Sequence, residues 1–423
     1  MIKKIIAGLC LVVSTVAFAQ ENNASPYSFY GVGDAKFKGT ADTRSMGGLG
    51  ILPDSIHVNL QNPATYSALK FTTFSVGGTS GNTNFKTNEG SDTAGRTTLD
   101  YVAVALPFKK IGVSFGLMPY TAVGYRVQDS IVGDIDGITK RRQFRGSGGL
   151  NRVFFGAAYK ITKNLSVGAD FQYVFGNIET RSTVYLSGAE AQYATRETNA
   201  SDYKGVGVNV GATYQALLNK KYTWTLSAVY TPETTLNGSV VRNIATITSS
   251  STGGDIINDQ IETSTRDNDA KLPSKFTFGA GFGQARSWFA GVEYTHQESS
   301  KIASNFNTAS NAQYTTGQKL SVGGYFIPKY MSFTSYLSRV TYRAGFKYEK
   351  TGLIIAGQDI KDTGVSLGVG LPFSGTIGGS NLNIGVEYGT RGTTSANLVK
   401  ENYFNVFVGI SLNDKWFVKR KYE

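Results

Sequence analysis

The sequence predicts an all-β chain: a transmembrane antiparallel β-barrel of about 14 strands with an N-terminal plug (hatch) segment. Three observations predict it. The chain opens with a secretory leader, apolar and polar residues alternate with period two from residue 69 to 412, and the connections between the alternating segments sort by length.

The leader is read first. Lys3 and Lys4 precede an apolar run from Ile5 to Val16, and Ala17-Phe18-Ala19 supplies a small-x-small cleavage site, so residues 1–19 are expected to be removed. The run is too short to stay as a membrane span. Cys10, the only cysteine, lies inside it and well upstream of the cleavage site, which argues against a lipid anchor and leaves the mature chain without disulfide or thiolate chemistry. The remaining expected divisions are a hatch over 20–68, a barrel over 69–412 and a basic periplasmic tail over 413–423.

Composition narrows the classes. The formal charge of +12, less the two leader lysines, is +10 and is spread along the chain, whereas a nucleic-acid partner would call for a clustered basic patch with interleaved aromatics. Fifty glycines beside 25 Phe and 24 Tyr, without a Gly-X-Y repeat, exclude collagen and make poor helices. No mature segment reaches 18 consecutive apolar residues, which excludes a helical membrane protein.

The alternation is clear in "LSVGADFQYVFG", where Leu165, Val167, Ala169, Phe171, Tyr173 and Phe175 oppose Ser166, Gly168, Asp170, Gln172 and Gly176. Fourteen such segments fall at roughly 69–84, 97–108, 111–128, 144–160, 165–182, 202–215, 222–238, 271–283, 286–297, 316–327, 338–349, 362–373, 381–390 and 401–412. An even count returns both ends to one side. Connections after even-numbered segments are mostly short ("KK", "TKN", "NKK", "QA") and those after odd-numbered ones long, with "PKYMSFTSYL" the exception. A soluble sandwich also alternates, but it has no reason to sort its loops by parity or to place Tyr173, Phe175, Tyr348 and Tyr388 near strand ends, where an interfacial girdle would lie. The expected location is the outer membrane of a Gram-negative cell, with membrane lipid as a partner.

A barrel of this size has a lumen that something must occupy. Residues 20–68, rich in turn formers and expected to start on the periplasmic side, are the natural plug. Two inward rows of small residues would leave it room: Gly205, Gly207 and Gly211, and Gly364, Ser366, Gly368 and Gly370.

"SMGGLGILPDSIHVNLQNPATYSAL" resembles the hatch of the FadL-like long-chain fatty-acid transporters: Gly47, Gly48 and Gly50, then Asp54, then Asn62-Pro63-Ala64 just before the first strand. "GSGGLNRVFFGAAYKITKNLSVGADFQYVFG" and "LPSKFTFGAGFG" extend the resemblance. It implies passive uptake of a hydrophobic small molecule or fatty acid, with lateral exit through a wall opening at an inward kink of the third strand. Pro119, flanked by Gly116 and Gly124, looks like that kink, since a proline inside a closed wall forces a bulge; alternatively it marks where the strand clears the membrane. Replacing Pro119 by Val is then expected to restore the ladder.

An amphiphile's head group needs cations, and the inward-facing candidates are Arg152, Lys319, Arg343 and Lys347. The commoner arrangement is that such residues pair with Asp170, Glu293 and Glu387 as a lumenal charge network. Two departures from the family stand out. Of the long loops at about 183–201 and 239–270, the latter is polar rather than greasy, and the chain continues past its last strand as "NDKWFVKRKYE". Both suit the alternative function, a non-catalytic subunit of a larger outer-membrane protein complex for secretion or insertion. No cofactor or metal is expected. An enzyme would have to rest on His57 or His296, the only histidines.

Overall fold

The computed structural model describes residues 23–132, 139–187, 193–249, 255–299, 312–373 and 379–416; the leader and the tail residues 417–423 lie outside them. The chain forms a closed antiparallel barrel of 14 strands. These are β1 (Thr72–Lys86), β2 (Ser91–Phe108), β3 (Ile111–Pro119 and Thr121–Val132), β4 (Thr139–Lys160), β5 (Leu165–Ser187), β6 (Tyr193–Leu218) and β7 (Tyr222–Thr231 and Thr234–Ser249). They continue with β8 (Asp255–Asp267, Ala270–Leu272 and Lys275–Gln284), β9 (Trp288–Gln297), β10 (Ala312–Tyr314 and Gly317–Phe326), β11 (Thr341–Ile355), β12 (Gln358–Pro372), β13 (Asn381–Arg391) and β14 (Lys400–Asp414). Each pairs with its sequence neighbours, and β1 closes the ring on β14 from Thr72↔Asp414 to Lys86↔Lys400.

The burial pattern inverts that of a soluble protein. Phe155 (58% exposed), Phe171 and Val208 stand side by side on the outer wall of β4, β5 and β6, and Val322, Phe346, Val365, Tyr388 and Phe404 continue the belt over β10 to β14. Asp170, Gln172, Asn209, Glu293, Arg343, Asn383 and Glu387 are buried inside. Only a solvent of hydrocarbon makes that division favourable, which places the barrel in the outer membrane.

Two expectations are corrected. The stretches 183–201 and 239–270 are not loops: β5, β6, β7 and β8 run through most of them as hairpins. Beyond the membrane both faces of a strand are wetted, so the alternation that reveals a spanning strand is absent there; Asp255–Asp267 is exposed on nearly every residue. The second correction concerns the N-terminal segment. Its first described residues lie at the outer side, with Tyr27 hydrogen-bonded to Val399 O in the β13–β14 connection, and the chain descends from there to Thr72 at the periplasmic rim.

Within the ring the segment carries a short 3-10 turn (Pro26–Phe29), two paired residues (Asp34–Ala35 on Ala122–Thr121), a helical turn (Ala41–Arg44) and a 3-10 helix (Pro63–Ala68). Glycines on the inner wall admit its backbone. A Cβ on Gly345 would lie 2.1 Å from Gly47 N, and one on Gly168 2.7 Å from Ala64 N. Of the two small rows, Gly211, Ser366 and Gly368 abut the segment, whereas Gly205 and Gly207 face Thr234–Leu236 of β7.

Gly345→Val should therefore destabilise the protein by about 1–3 kcal/mol through overpacking. The check is a lowered melting temperature together with faster proteolysis within residues 23–71.

Candidate functional site

Two features interrupt an otherwise uniform wall, a break in β3 and a cation-rich cavity beside it. The break begins where chemistry requires it. Pro119 has no N–H to give the ladder, and the strand ends there, still opposite Asn151 of β4. Pairing resumes at Val123↔Gly148, so three residues, 120–122, stand opposite two, 149–150. That is a β-bulge, bent by Gly148 and Gly149 at φ +107 and +144. On the other side β2–β3 pairing stops at Val102↔Leu117, and Asp100 is skipped in the pairing of β2 with β1. Among the described residues, Ser91–Tyr101 of β2 has no strand partner on its β3 side. The wall is unzipped in its outer half.

The N-terminal segment occupies this seam from inside. Asn23 bridges it, donating from Nδ2 to Ala122 O at 3.1 Å and accepting from Arg96 of β2 at 2.8 Å. Ser28 Oγ accepts from Gly124 N–H at 3.1 Å, and Lys36 N–H donates to Tyr120 O at 3.0 Å. Gly124 is glycine because a Cβ there would lie 2.0 Å from Asn23 O. Gly116 has the same crowding against Val102 O, at 2.4 Å.

Below the seam the hatch motif is locked by complementary groups. Asn62 Oδ1 accepts from Ala64 N–H at 2.9 Å, capping the helix that Pro63 starts, while its Nδ2 donates to Thr213 (3.0 Å) and Ser227 (2.8 Å) on the wall. Arg44 reaches Glu387 at 2.7 Å and Asp100 at 3.6 Å; Lys347 pairs with the same Glu387 at 2.7 Å and with Asp362 at 3.3 Å. Asp34 meets Arg391 at 2.8 Å. Lys347 is thus ion-paired within the lock. Arg343 donates to Asn383 at 2.9 Å and faces Asp42 and Asp54 of the segment.

The cavity, about 340 Å³, lies against Lys38, Tyr120, Arg152, Lys275, Lys319 and Glu293. Lys38 sits 3.8 Å above the Tyr120 ring, and Lys319 lies 5.7 Å from that of Phe37. Arg152 donates to Gln172 at 3.0 Å, and its buried Nε has no partner among the described residues. In all, nine cations and five acids line the cavity; beside Lys38, Arg152, Lys275 and Lys319 the lining acid is Glu293, with Asp170 just outside the lining. Burial, with help from Arg152 and against Asp170, pushes the Lys38 ammonium down to about 7. Of the sequence candidates, Arg152, Lys319 and the ion-paired Lys347 line this cavity, and Arg343 does not. Lys275 and Lys38 join them instead. Lys275 shares the inward parity of Thr277 and Gly279, a signal present in the sequence; Lys38 lies in a segment without periodicity.

His57 bonds Asp54 at 2.8 Å, but its buried Nε2 has no hydrogen-bond partner among the described residues, and His296 faces outward on β9. Neither completes a Ser-His-acid arrangement.

A sequence profile of the BamG family matches residues 1–423. The chain belongs to the BamG family. No curated protein matches it by sequence. Its fold is FadL-like. The Ralstonia pickettii toluene transporter TbuX superposes with a TM-score of 0.58 at 16% identity, over 89% of this chain and 99% of that one. The Pseudomonas putida toluene transporter TodX gives 0.57 at 16%, over 90% and 98%. A Pseudomonas aeruginosa FadL homologue gives 0.55 at 12%, over 88% and 97%. At these identities the likeness is one of fold.

Glu387→Gln removes the acid that Arg44 and Lys347 share and leaves both buried cations short of charge, at a cost of about 3–5 kcal/mol. The expected readouts are a lower melting temperature and a raised open-channel conductance in planar bilayers as the segment loosens.

Proposed function

We propose that this BamG-family barrel is a passive outer-membrane route for hydrophobic compounds that carry an anionic head group, fatty-acid-like in chemistry, leaving sideways through the β2–β3 seam into lipid. The observation that carries the reading is the seam itself. Unpaired ladder groups in a membrane wall are costly, and a chain that keeps Pro119, a bulge and two positive-φ glycines at one level has a use for the gap. The adjoining cavity is lined by nine cations against five acids, which suits a carboxylate or a related anion at the head of an apolar tail. The N-terminal segment is the plug: it shuts the lumen and must yield at Asn23 for a ligand to pass. The toluene-transporter neighbours lend support through a common architecture.

A second reading is a non-catalytic subunit of an outer-membrane protein complex. Asp255–Asp267 favours it: this outer strand is paired on one side only among the described residues, and it stands where a capture groove would otherwise be apolar. The family matched along the whole chain, moreover, is not one named for a transported compound. Purification in mild detergent separates the readings, since a stoichiometric partner set supports the complex and a lone barrel carrying bound amphiphile supports uptake.

Two outcomes test the lateral route. Pro119→Val leaves the extra residue of the bulge in place, so it does not close the wall; deleting Tyr120 removes that residue, and uptake of a labelled fatty acid by proteoliposomes should fall to background in a barrel that still folds. Unchanged uptake would end the proposal. Since an anion prefers the protonated Lys38, its affinity should drop as pH rises from 6 to 8, and Lys38→Met should flatten that profile.

A further inference from the structure

The β10–β11 connection, residues 327–340, is long for a periplasmic turn and is held by hydrogen bonds. Ile327 N–H donates to Ser287 O at 2.6 Å, Lys329 N–H to Ser338 O at 2.7 Å, and Arg339 N–H to Tyr336 O at 2.9 Å. Tyr342 and Tyr336 tie the loop down through their hydroxyls, to Leu337 O at 3.2 Å and to Pro372 O at 3.1 Å. Even so, this fixed loop turns its largest apolar side chains outward. Phe333 is 98% exposed, Met331 and Leu337 are 67% exposed, and Tyr330 and Tyr336 are partly so.

A loop that could hide these groups by collapsing but is held open has its own solvent to meet. Continuity says which. The periplasmic ends of β7, β8 and β9 carry a ring-to-ring cluster of Tyr222, Trp224, Phe282 and Trp288, and outward-facing Phe326 and Tyr342 extend it to both ends of the loop. Such an aromatic girdle marks the headgroup level of a membrane. Charge agrees. No acidic residue occurs between Glu298 and Glu349, while Lys329 lies in the loop and Arg286 stacks 4.9 Å from the Tyr330 ring.

We propose that the β10–β11 loop is an interfacial anchor, inserting Met331, Phe333 and Leu337 into the periplasmic leaflet with phospholipid phosphates held by Arg286 and Lys329. The anchor is independent of whether the lumen conducts anything. It would fix the barrel's depth and tilt on that side and thin or order the leaflet beside β10 and β11.

The test places a single cysteine, Phe333→Cys, in the barrel freed of the leader that holds Cys10, attaches an environment-sensitive fluorophore and reconstitutes it in nanodiscs of phosphatidylethanolamine and phosphatidylglycerol. Gly90→Cys, in the exposed outer turn, serves as control. The expected result is blue-shifted emission at 333, quenched by brominated phospholipid, with neither effect at 90. Arg286→Glu combined with Lys329→Glu should weaken that quenching at least about twofold in a barrel that keeps its heat-modifiable migration. A water-like, unquenched probe at 333 in the purified protein overturns the proposal. So does a probe shielded only in native membranes, which would assign the patch to a protein partner. Quenching indifferent to both charge reversals overturns the headgroup contact.

Discussion

Everything in this molecule follows from the requirement that backbone polar groups in hydrocarbon find partners within the protein. Fourteen strands meet it by closing β1 on β14, and closure then dictates the side chains: apolar outside, polar and small inside. The inside is where sequence has freedom, and it has been used to seat the N-terminal segment against glycines and to hold it with buried ion pairs. Buried pairs of this kind add little net stability, but they are specific, because losing one partner strands the other. A segment held by such pairs is fixed in register.

The exception to closure is the more informative feature. Between Ser91–Tyr101 and Thr121–Val132 the ladder is missing, and the defects that open it lie at one level on three strands: the skipped Asp100, the bulge after Pro119, and Gly148–Gly149. Asn23 spans the gap with one side chain in place of a ladder. Two hydrogen bonds are a small barrier compared with strand pairing.

How much of this was legible in the sequence depends on which solvent each residue meets. Spanning strands declare themselves because hydrocarbon and lumen impose opposite preferences on successive residues, and all fourteen could be placed. The outer reaches of β5 to β8 could not, since water on both faces of a stretch such as Asp255–Asp267 leaves no period to read. Pro119 was visible as a break because proline is rare, whereas Gly148 and Gly149 are two glycines among fifty. Parity showed that Arg152, Lys319, Arg343 and Lys347 face inward, but that Glu387 holds Lys347 together with Arg44, 343 residues away in sequence, depends on a partner only the fold brings close. Lys38 was out of reach for the same reason.

The most direct test of the account is a density map of the full chain purified into lipid nanodiscs. The expected map shows a gap between β2 and β3 above Val102 and Leu117, bridged at Asn23, with elongated ligand density whose polar end rests among Lys38, Arg152 and Lys319. A β2–β3 ladder running unbroken past Pro119, or a lumen that holds nothing beyond the N-terminal segment and water, would contradict it.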